Sequence, residues 1–497
     1  MNGQITANSN ETKNAGLFAF KKGGNCFDAL VAAQLTACVV EPFLTGFGGA
    51  GLALCMKNNE AVMVDCFTRM PKRGKKGSDF KEILLDFGPT KQAFWTGLGS
   101  IAVPGMIHGL DHIHSKYCSL PLELLAQPAL KCSQQPTSIT EAFGRILELL
   151  WPLIEARILR DTFGQNDVCK REGSFWLPDL KETIEDFVSY RSDIWNQNKY
   201  RCALEQNYSN GARLHLDDLN RYEVIETKLE PMVWGPNNSH IFLPKLPSVG
   251  GEILRSVLSQ FNQSQLETAE DYCVLIDVLS RVNKNIEQGN KAFSKLNLIG
   301  STTHISTVDS QGNAASMTSS LGESCGQILG DTGIILNNFL GEADVTPEAA
   351  HEHPYSRLLT MCSPTIVKNV DKVNQTSTCL AFGAGGSSRI PAAVLFGILN
   401  TELRDLNMSD VVNNPRLHLD EKELHIEEFS PQIQDYLENY AQKHFQLATK
   451  KYKGSTLFFG ALNVSKIKKS TSTKEISLDG AGDFRRGCVS GSYKKDS

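Results

Sequence analysis

The stretch Gly300-Ser-Thr-Thr-His-Ile-Ser-Thr-Val-Asp309 is the most informative part of the sequence for the fold. From His304 to Val308 it has the composition of a β-strand, and so has the stretch from Ala314 to Ser320. The turn residues Asp309-Ser-Gln-Gly-Asn313 separate the two, so the pattern predicts a β-hairpin. Taken without its context, Thr302-Thr-His is only a polar segment at the start of the first strand.

Further strands and helices flank this hairpin on both sides. Upstream, two alternating stretches enclose Asn58-Asn59 and predict another hairpin, and downstream the chain has two short apolar strands. The predicted strands are 52–57, 61–67, 333–336 and 379–382, and the predicted helices are 27–40, 269–286 and 390–399. Adjacent strands covered by helices predict a layered α/β sandwich.

Composition and charge are those of an ordinary globular protein. Of the 497 residues, 41% are hydrophobic and 21% are charged. The formal net charge of −5 argues against binding to nucleic acid or to an anionic membrane surface, because both require a concentrated positive field. The thirteen cysteines include no Cys-x-x-Cys pair, which argues against a zinc ribbon and against a thioredoxin-like redox site. We therefore predict reduced thiols and no metal site.

The N-terminal region has no pattern typical of export. Its first 20 residues are polar, and the apolar run from Leu30 to Val40 is interrupted by Gln34 and is too short to span a bilayer. We interpret this run as a buried helix. The sequence therefore predicts a cytoplasmic protein.

A glycine-rich stretch, Gly383-Ala-Gly-Gly-Ser-Ser-Arg389, lies between the predicted strand 379–382 and the predicted helix 390–399. The free backbone N–H groups of such a turn can cradle a phosphate or form an oxyanion hole. The stretch lacks the Gly-Lys-Ser/Thr ending of a nucleotide-binding loop. Taken alone, it leaves three hypotheses open: a phosphate site, an oxyanion hole and a structural turn.

Several blocks of the sequence occur together in one known family. They are Gly23–Ala33, Val40–Gly51, Ser301–Asp309, Gly333–Asn338, Ser363–Val367, Gly385–Arg389, Asn414–Arg416 and Gly480–Arg486. In this order they resemble the γ-glutamyltranspeptidases, or glutathione hydrolases, a family of N-terminal-nucleophile hydrolases. The resemblance runs from about residue 22 to residue 494.

The resemblance implies an α/β fold, a four-layer αββα sandwich, and a precursor that cuts itself between Ser301 and Thr302. Residues 1–301 then correspond to the large subunit and residues 302–497 to the small subunit of one interwoven domain, so we expect the two fragments to stay associated. Thr302 is the expected nucleophile. A threonine hydroxyl needs an adjacent base, and cleavage would free the α-amino group of Thr302, with an ordinary pKa of about 8, for that role.

The resemblance also assigns three residues around the nucleophile. Ser320 supplies a hydroxyl that hydrogen-bonds Thr302. Gly385 and Gly386 supply the N–H groups of the oxyanion hole.

The positions expected to bind substrate differ more from the family. Phe67 stands where the family has an arginine that holds the substrate α-carboxylate, and Arg69 follows two positions later. Glu342 and Asp344 are the nearest matches to the acids that hold the substrate amine. Thr360 is the nearest match to one of two serines.

The function that the resemblance implies is a γ-glutamyl hydrolase or transferase acting on amides such as glutathione. It implies no cofactor and no nucleic-acid or membrane partner. The altered substrate-binding positions leave two alternatives open. One is an acylase that uses the same machinery on another amide, and the other is a non-catalytic binding or scaffold protein with the same fold.

Overall fold

The hairpin predicted after Gly300 forms as two nine-residue strands, Ser301–Asp309 and Ala314–Gly322. They are antiparallel, with Thr302 opposite Ser320 and Val308 opposite Ala314. All residues of both strands are buried. The structure is a computed structural model that describes residues 1–72, 79–86, 91–155, 173–262, 265–289, 301–341, 353–404, 406–420, 423–470 and 472–495.

The described strands are numbered in chain order. They are β1 (Gly3–Ala7), β2 (Ala50–Lys57), β3 (Glu60–Cys66), β4 (Lys81–Asp86), β5 (Lys91–Thr96), β6 (Thr137–Ser138), β7 (Ser174–Phe175), β8 (Ile225–Leu229), β9 (Met232–Trp234), β10 (Ser239–Phe242), β11 (Ser301–Asp309), β12 (Ala314–Gly322), β13 (Thr365–Asp371), β14 (Thr376–Gly385), β15 (Leu417–Leu419), β16 (Glu423–Ile426), β17 (Ala448–Lys451), β18 (Ala461–Ser470), β19 (Ile476–Gly482) and β20 (Val489–Tyr493).

Two helices near the N-terminus, α1 (Asn10–Lys21) and α2 (Cys26–Val40), pack together. Asn25 caps α2 in a reciprocal capping box with Asp28. Every residue of α2 is buried, as we interpreted the apolar run from its sequence. The other α-helices described are Met106–Tyr117, Leu122–Leu125, Gln127–Ser133, Glu141–Glu155, Leu180–Tyr190, Asn198–Ser209, Leu216–Asn220, Val249–Gln260, Ala269–Gly289, Ile390–Leu403, Met408–Asn413 and Pro431–Phe445. Among these described helices, none has the length and apolar character needed to cross a membrane.

Two large sheets contain most of the strands. The seven-stranded sheet has the order β20-β1-β11-β12-β2-β3-β8, and the six-stranded sheet has the order β19-β18-β14-β13-β10-β9. All neighbouring strands in both sheets are antiparallel. The β2–β3 hairpin forms as predicted, because Asn58 and Asn59 adopt the positive φ angles, 53° and 67°, that its two-residue turn requires.

Three buried clusters separate four layers. The first joins α1 and α2 to the seven-stranded sheet through residues such as Ile305. The second lies between the sheets and includes Val308 and Ala381. The third joins the six-stranded sheet, through Phe382, to helices that include Ile390–Leu403. Because adjacent residues of β14 belong to different clusters, that strand is buried on both faces and the layer order is αββα.

Two sequence-based expectations about local structure need correction. Residues 333–336 form no regular strand, and Ile335 and Leu336 make only isolated bridges. The glycine-rich turn is shorter than predicted, because β14 continues through Gly385. The chain turns at Gly386 and Ser387, with φ angles of 136° and 53°.

Candidate active site

The side chains of β11 alternate between two environments. Thr303 Oγ1 donates a hydrogen bond to Glu41, which follows α2, whereas Ser306 Oγ donates to the Asn463 carbonyl oxygen of the other sheet. His304 also faces the other sheet, because a Cβ atom at Gly383 would lie only 2.0 Å from its Cε1. By the two-residue period of a strand, the Thr302 side chain therefore points between the two sheets.

Ser320 lies directly against the bond that we expect to be cut. Its Oγ donates a hydrogen bond of 2.6 Å to the Ser301 carbonyl oxygen and accepts one of 3.0 Å from the Gly322 N–H. Ser301 and Thr302 are only 2% and 3% exposed, so this carbonyl is shielded from water. A donor at a carbonyl oxygen stabilises the negative charge that forms when a nucleophile attacks the carbon.

The turn after β14 also lies beside Thr302. A Cβ atom at Gly385 would stand 2.3 Å from the Thr302 carbonyl oxygen, and one at Gly386 would stand 2.7 Å from the Gly460 Cα. Only glycine fits such close approaches of backbone to backbone. The structure thus brings together four of the predicted residues, namely Thr302, Ser320, Gly385 and Gly386.

A buried carboxyl group supports the strand from the helical side. Glu41 Oε1 accepts a hydrogen bond of 2.6 Å from Thr12 of α1, and Oε2 accepts one of 2.5 Å from Thr303. Burial raises the pKa of Glu41, while these hydroxyl donors act in the opposite direction. Glu41 therefore ties α1 and the end of α2 to the residue next to Thr302.

His304 is a structural residue of this region. Its Nδ1 lies 2.8 Å from Thr318 Oγ1, and its Nε2 lies 2.8 Å from Ser306 Oγ. Burial lowers the pKa of His304 to about 3, so the ring is neutral near neutral pH. With both nitrogens engaged, His304 is poorly placed to act as the base for Thr302.

An apolar cluster occupies the sheet beyond Ser320. Ser320 pairs with Ala50, and the next residue of β2, Gly51, pairs with Cys66, which precedes Phe67. The Phe67 and Phe339 rings pack edge to face with their centroids 5.1 Å apart. The cluster consists of Ala50, Leu52, Phe67, Met70, Ala102, Phe339, Leu340, Leu358 and Cys362. The position expected to hold a substrate carboxylate is therefore buried and apolar.

Arg69, the other candidate for that role, is engaged with the backbone. Its Nε donates to the Tyr355 carbonyl oxygen at 2.9 Å, and its Nη1 donates to that of Arg221 at 3.1 Å. Burial, together with the neighbouring Arg357, lowers the pKa of Arg69. Arg357 in turn forms a buried ion pair of 2.9 Å with Asp65.

The remaining predicted substrate-binding residues have different outcomes. Thr360 Oγ1 accepts a hydrogen bond of 3.1 Å from the Cys362 N–H, so it lies at the edge of the apolar cluster. Glu342 and Asp344 lie outside the described residues. In the described part of the chain, one group of side chains has the spacing of metal ligands: Asp420, Glu423 and His425.

The sequence profile of the γ-glutamyltranspeptidase family matches residues 12–294 and 279–492. The chain belongs to the γ-glutamyltranspeptidase family. Its curated relatives include the glutathione hydrolase proenzyme of Bacillus subtilis (strain 168), which is 24% identical over 468 residues, with 81% of this chain and 78% of the relative covered. The glutathione hydrolase proenzyme of Escherichia coli (strain K12) is 25% identical over 524 residues, with 89% and 85% covered. The capsule biosynthesis protein CapD proenzyme of Bacillus anthracis is 23% identical over 506 residues, with 95% and 87% covered.

Solved structures confirm the fold. The cephalosporin acylase from Bacillus halodurans superposes with a TM-score of 0.79 at 18% identity, covering 100% of this chain and 96% of the acylase. At this identity the similarity establishes the architecture and leaves the substrate open. The predicted family and the predicted αββα sandwich are both confirmed.

Sequence reasoning missed three residues of this γ-glutamyltranspeptidase-family site. Glu41 and Arg486 lay within blocks that carried the resemblance, but no role was assigned to either, and Arg357 lay outside those blocks. Each acts through a partner far away in the sequence. The Arg486 Nη1, for example, donates to the Thr302 carbonyl oxygen at 3.4 Å across 184 positions.

Proposed function

We propose that the protein is a γ-glutamyltranspeptidase-type amidohydrolase and acyl transferase, made as a precursor that cuts itself between Ser301 and Thr302. The observation that carries this proposal is the 2.6 Å hydrogen bond from Ser320 Oγ to the Ser301 carbonyl oxygen. It polarises the bond that precedes a threonine, at the strand end where the family places its nucleophile.

Self-cleavage would proceed in two steps. The Thr302 hydroxyl attacks the Ser301 carbonyl carbon, the C–N bond breaks, and the proton moves to the departing amine, which leaves an ester between Ser301 and Thr302. Water then hydrolyses this ester and releases the Ser301 carboxylate. Thr302 is left with a free hydroxyl and a free α-amino group.

Turnover would use these two groups together. The α-amine takes the hydroxyl proton while the oxygen attacks the amide carbonyl of the substrate, and the same proton then passes to the leaving amine. The Gly385 and Gly386 N–H groups are the proposed donors to the oxyanion. Water or an acceptor amine finally removes the acyl group from Thr302.

The substrate class that we propose is a γ-glutamyl amide such as glutathione. It rests on family membership and on relatives named glutathione hydrolase proenzymes. One observation favours a second candidate, an acylase for less polar acyl groups. Phe67 and Phe339 pack against each other where the family resemblance calls for a carboxylate-binding arginine.

Intact-mass spectrometry and an anilide panel test the proposal together. Wild-type protein should separate under denaturing conditions into residues 1–301 and 302–497 and should hydrolyse γ-glutamyl-p-nitroanilide. Thr302→Ala should do neither, and Thr302→Ser, which keeps a hydroxyl, should retain both at a lower rate. An uncut and inactive wild-type protein would instead indicate a non-catalytic binding or scaffold role. Faster turnover of simple acyl anilides than of γ-glutamyl anilides would select the acylase.

A further inference from the structure

Arg486, close to the C-terminus, contacts the backbone of Thr302. It ends the 3₁₀ turn Phe484–Arg486, and its Nη1 donates a hydrogen bond of 3.4 Å to the Thr302 carbonyl oxygen. The same Nη1 lies 3.2 Å from the point where a Cβ atom of Gly385 would stand. The Thr302 carbonyl group follows the proposed cut in the chain, so self-cleavage leaves this contact in place.

The contact also places the guanidinium group close to the nitrogen of Thr302, which the proposed cut converts into the α-amine. In an extended strand the N–H and C=O groups of one residue point to the same side. The nitrogen of a residue lies within about 3.6 Å of its own carbonyl oxygen, so the Thr302 nitrogen lies no more than about 7 Å from Arg486 Nη1. Both Thr302 atoms belong to the backbone, so this proximity does not depend on the face that the side chain occupies.

The charge of Arg486 has no carboxylate partner among the residues that the structure describes. Only 7% of the residue is exposed, and its Nε is buried without a hydrogen-bond acceptor. Burial lowers the pKa of Arg486, but a guanidinium group stays protonated at neutral pH. Because the group is both buried and unpaired, solvent and salt screen its electric field only weakly.

The ionisable residues that flank Arg486 in the sequence do not neutralise it. The Asp483 carboxylate is paired with Arg416 and Arg485 at 2.6 and 3.0 Å. Burial raises the pKa of the Cys488 thiol, which is therefore uncharged near neutral pH. Arg486 thus adds a positive charge to this end of β11.

The elements packed against β11 carry few other ionisable groups near Thr302. His304 is neutral, because burial lowers its pKa to about 3, and burial raises the pKa of the Cys379 thiol in β14 to about 12. Glu41 follows α2 and accepts hydrogen bonds from two threonine hydroxyls, and Glu323 follows β12 and is fully buried. A carboxylate favours a protonated amine, whereas Arg486 favours a free amine. Because these groups are common to wild type and variants, a substitution of Arg486 isolates its own contribution.

We propose that Arg486 is a positioning residue that keeps the Thr302 α-amine as the free base once the chain is cut. An α-amine with an ordinary pKa of about 8 is about nine-tenths protonated at pH 7, and the protonated form cannot accept the hydroxyl proton. A positive charge about 7 Å away disfavours the ammonium form by about 1–2 pH units at the effective dielectric constant of a protein. This inference rests on the proposed function, because it takes Thr302 as the nucleophile and its amine as the base.

The pH dependence of turnover tests this role. The kcat/KM for the anilide that wild type hydrolyses fastest should rise with pH through the pKa of the free amine, and Arg486→Gln should move this acidic limb up by about 1–2 pH units. Below both limbs Arg486→Gln should be about ten- to hundred-fold slower than wild type, and above both it should equal wild type. Arg486→Lys keeps the charge and should keep the limb. Arg201→Gln, which removes an exposed arginine of the helix Asn198–Ser209, is the matched control and should leave the profile unchanged.

A direct titration of the amine separates this inference from the proposed function. Labelling of the Thr302 amine with acetic anhydride over a pH series, read by mass spectrometry of the first peptide of the fragment 302–497, reports its pKa without turnover. We expect a midpoint of about 6–7 in wild type and one about 1–2 pH units higher in Arg486→Gln. A wild type that is cut and active, with the same limb and midpoint as Arg486→Gln, overturns the role of Arg486 and leaves the function in place. A wild type that is neither cut nor active overturns the function, and this inference with it.

Two further outcomes also decide the role of Arg486. If Arg486→Gln is slower by the same factor at every pH, Arg486 only holds the Thr302 backbone, and the inference is overturned. If Arg486→Gln does not mature, the labelling midpoint of wild type decides. A midpoint near 8 overturns the inference, and a midpoint of about 6–7 that Arg486→Lys preserves supports it.

Discussion

At the scale of single residues, the hydroxyl of Ser320 has a role that changes with the state of the chain. In the intact chain it donates to the Ser301 carbonyl oxygen. If the bond between Ser301 and Thr302 is cut, that carbonyl becomes part of a carboxylate that can leave. The hydroxyl is then free to hydrogen-bond Thr302, which is the role that the family resemblance predicts.

Ser320→Ala should slow self-cleavage by roughly a hundred-fold, because one donor to a developing oxyanion has about this value. Ser320→Thr keeps the hydroxyl and should mature at a rate close to that of wild type. The time course of fragment formation, followed by intact mass after rapid purification, measures both rates. Equal maturation of Ser320→Ala and wild type would remove Ser320 from the mechanism.

Glu41 makes the free energy of unfolding depend on pH, and one substitution at this position measures its contribution. Burial raises the pKa of Glu41 from its ordinary value of 4.5. A carboxyl group with a higher pKa in the folded chain holds its proton more tightly when folded. Its contribution to the free energy of unfolding is therefore present below about pH 4.5, and it is lost as the pH rises through the pKa that Glu41 has in the folded chain.

Glu41→Gln cannot ionise, so we expect its free energy of unfolding to rise relative to wild type as pH increases above about 4.5 and to level off beyond the folded pKa. Urea titrations between about pH 4 and pH 8 measure this difference. Glu205→Gln, at an exposed position of the helix Asn198–Ser209, controls for the loss of one negative charge. A difference that stays constant over the range would contradict the argument.

The sequence indicated candidate site residues where they lie in a motif within one segment. It missed residues whose role depends on a partner far away in the chain. Thr302 is assigned from a family block that lies within one segment, and its role as the nucleophile stays a prediction. Glu41 reaches Thr303 across 262 positions, and Arg357 reaches Asp65 across 292. Only the fold brings such pairs together, so no pattern within one segment could indicate them.

At the scale of secondary-structure elements, the glycine pattern after β14 correctly predicted a turn but placed its beginning too early in the chain. The glycines predicted a turn, but β14 continues through Gly385 because its pairing with β18 extends to Ala461. Register with a neighbouring strand, which a single segment does not reveal, therefore set the end of the element. The result is a glycine backbone pressed against Thr302.

Gly385→Ala should abolish turnover, because its Cβ would stand 2.3 Å from the Thr302 carbonyl oxygen and would displace one of the two backbones. Gly144→Ala is the matched control, since its Cβ would meet only the Ile139 Cγ2 at an ordinary 3.5 Å. Gly144 lies within the helix Glu141–Glu155, where alanine is favoured over glycine by about 1 kcal/mol. Anilide turnover and thermal unfolding of the two variants check these outcomes.

At the scale of the whole molecule, both segments of the proposed precursor contribute to both sheets. In the seven-stranded sheet β1, β2, β3 and β8 precede the proposed cut, whereas β11, β12 and β20 belong to the following segment. The six-stranded sheet likewise combines β9 and β10 with four later strands. Separating the segments would therefore break strand pairs in the middle of each sheet.

The two fragments should elute as one species in size-exclusion chromatography without denaturant and should separate in concentrated urea. Their dissociation should coincide with loss of secondary structure, because the same strand pairs hold both. Circular dichroism recorded alongside the elution profile tests this. Fragments that separate while the sheets remain folded would contradict the interleaved arrangement.

The pairing of β1 with β20 places Gly3 opposite Tyr493, and the Lys495 N–H donates to the Asn2 side chain at 2.7 Å. A short linker could therefore join residue 495 to residue 1 without disturbing the sheet. A circular permutant built in this way could begin at Thr302 and end at Ser301. Its nucleophile would carry a free α-amino group as soon as the initiator methionine is removed. Such a protein should hydrolyse amides as a single unbroken chain, which would separate the chemistry of turnover from the chemistry of maturation.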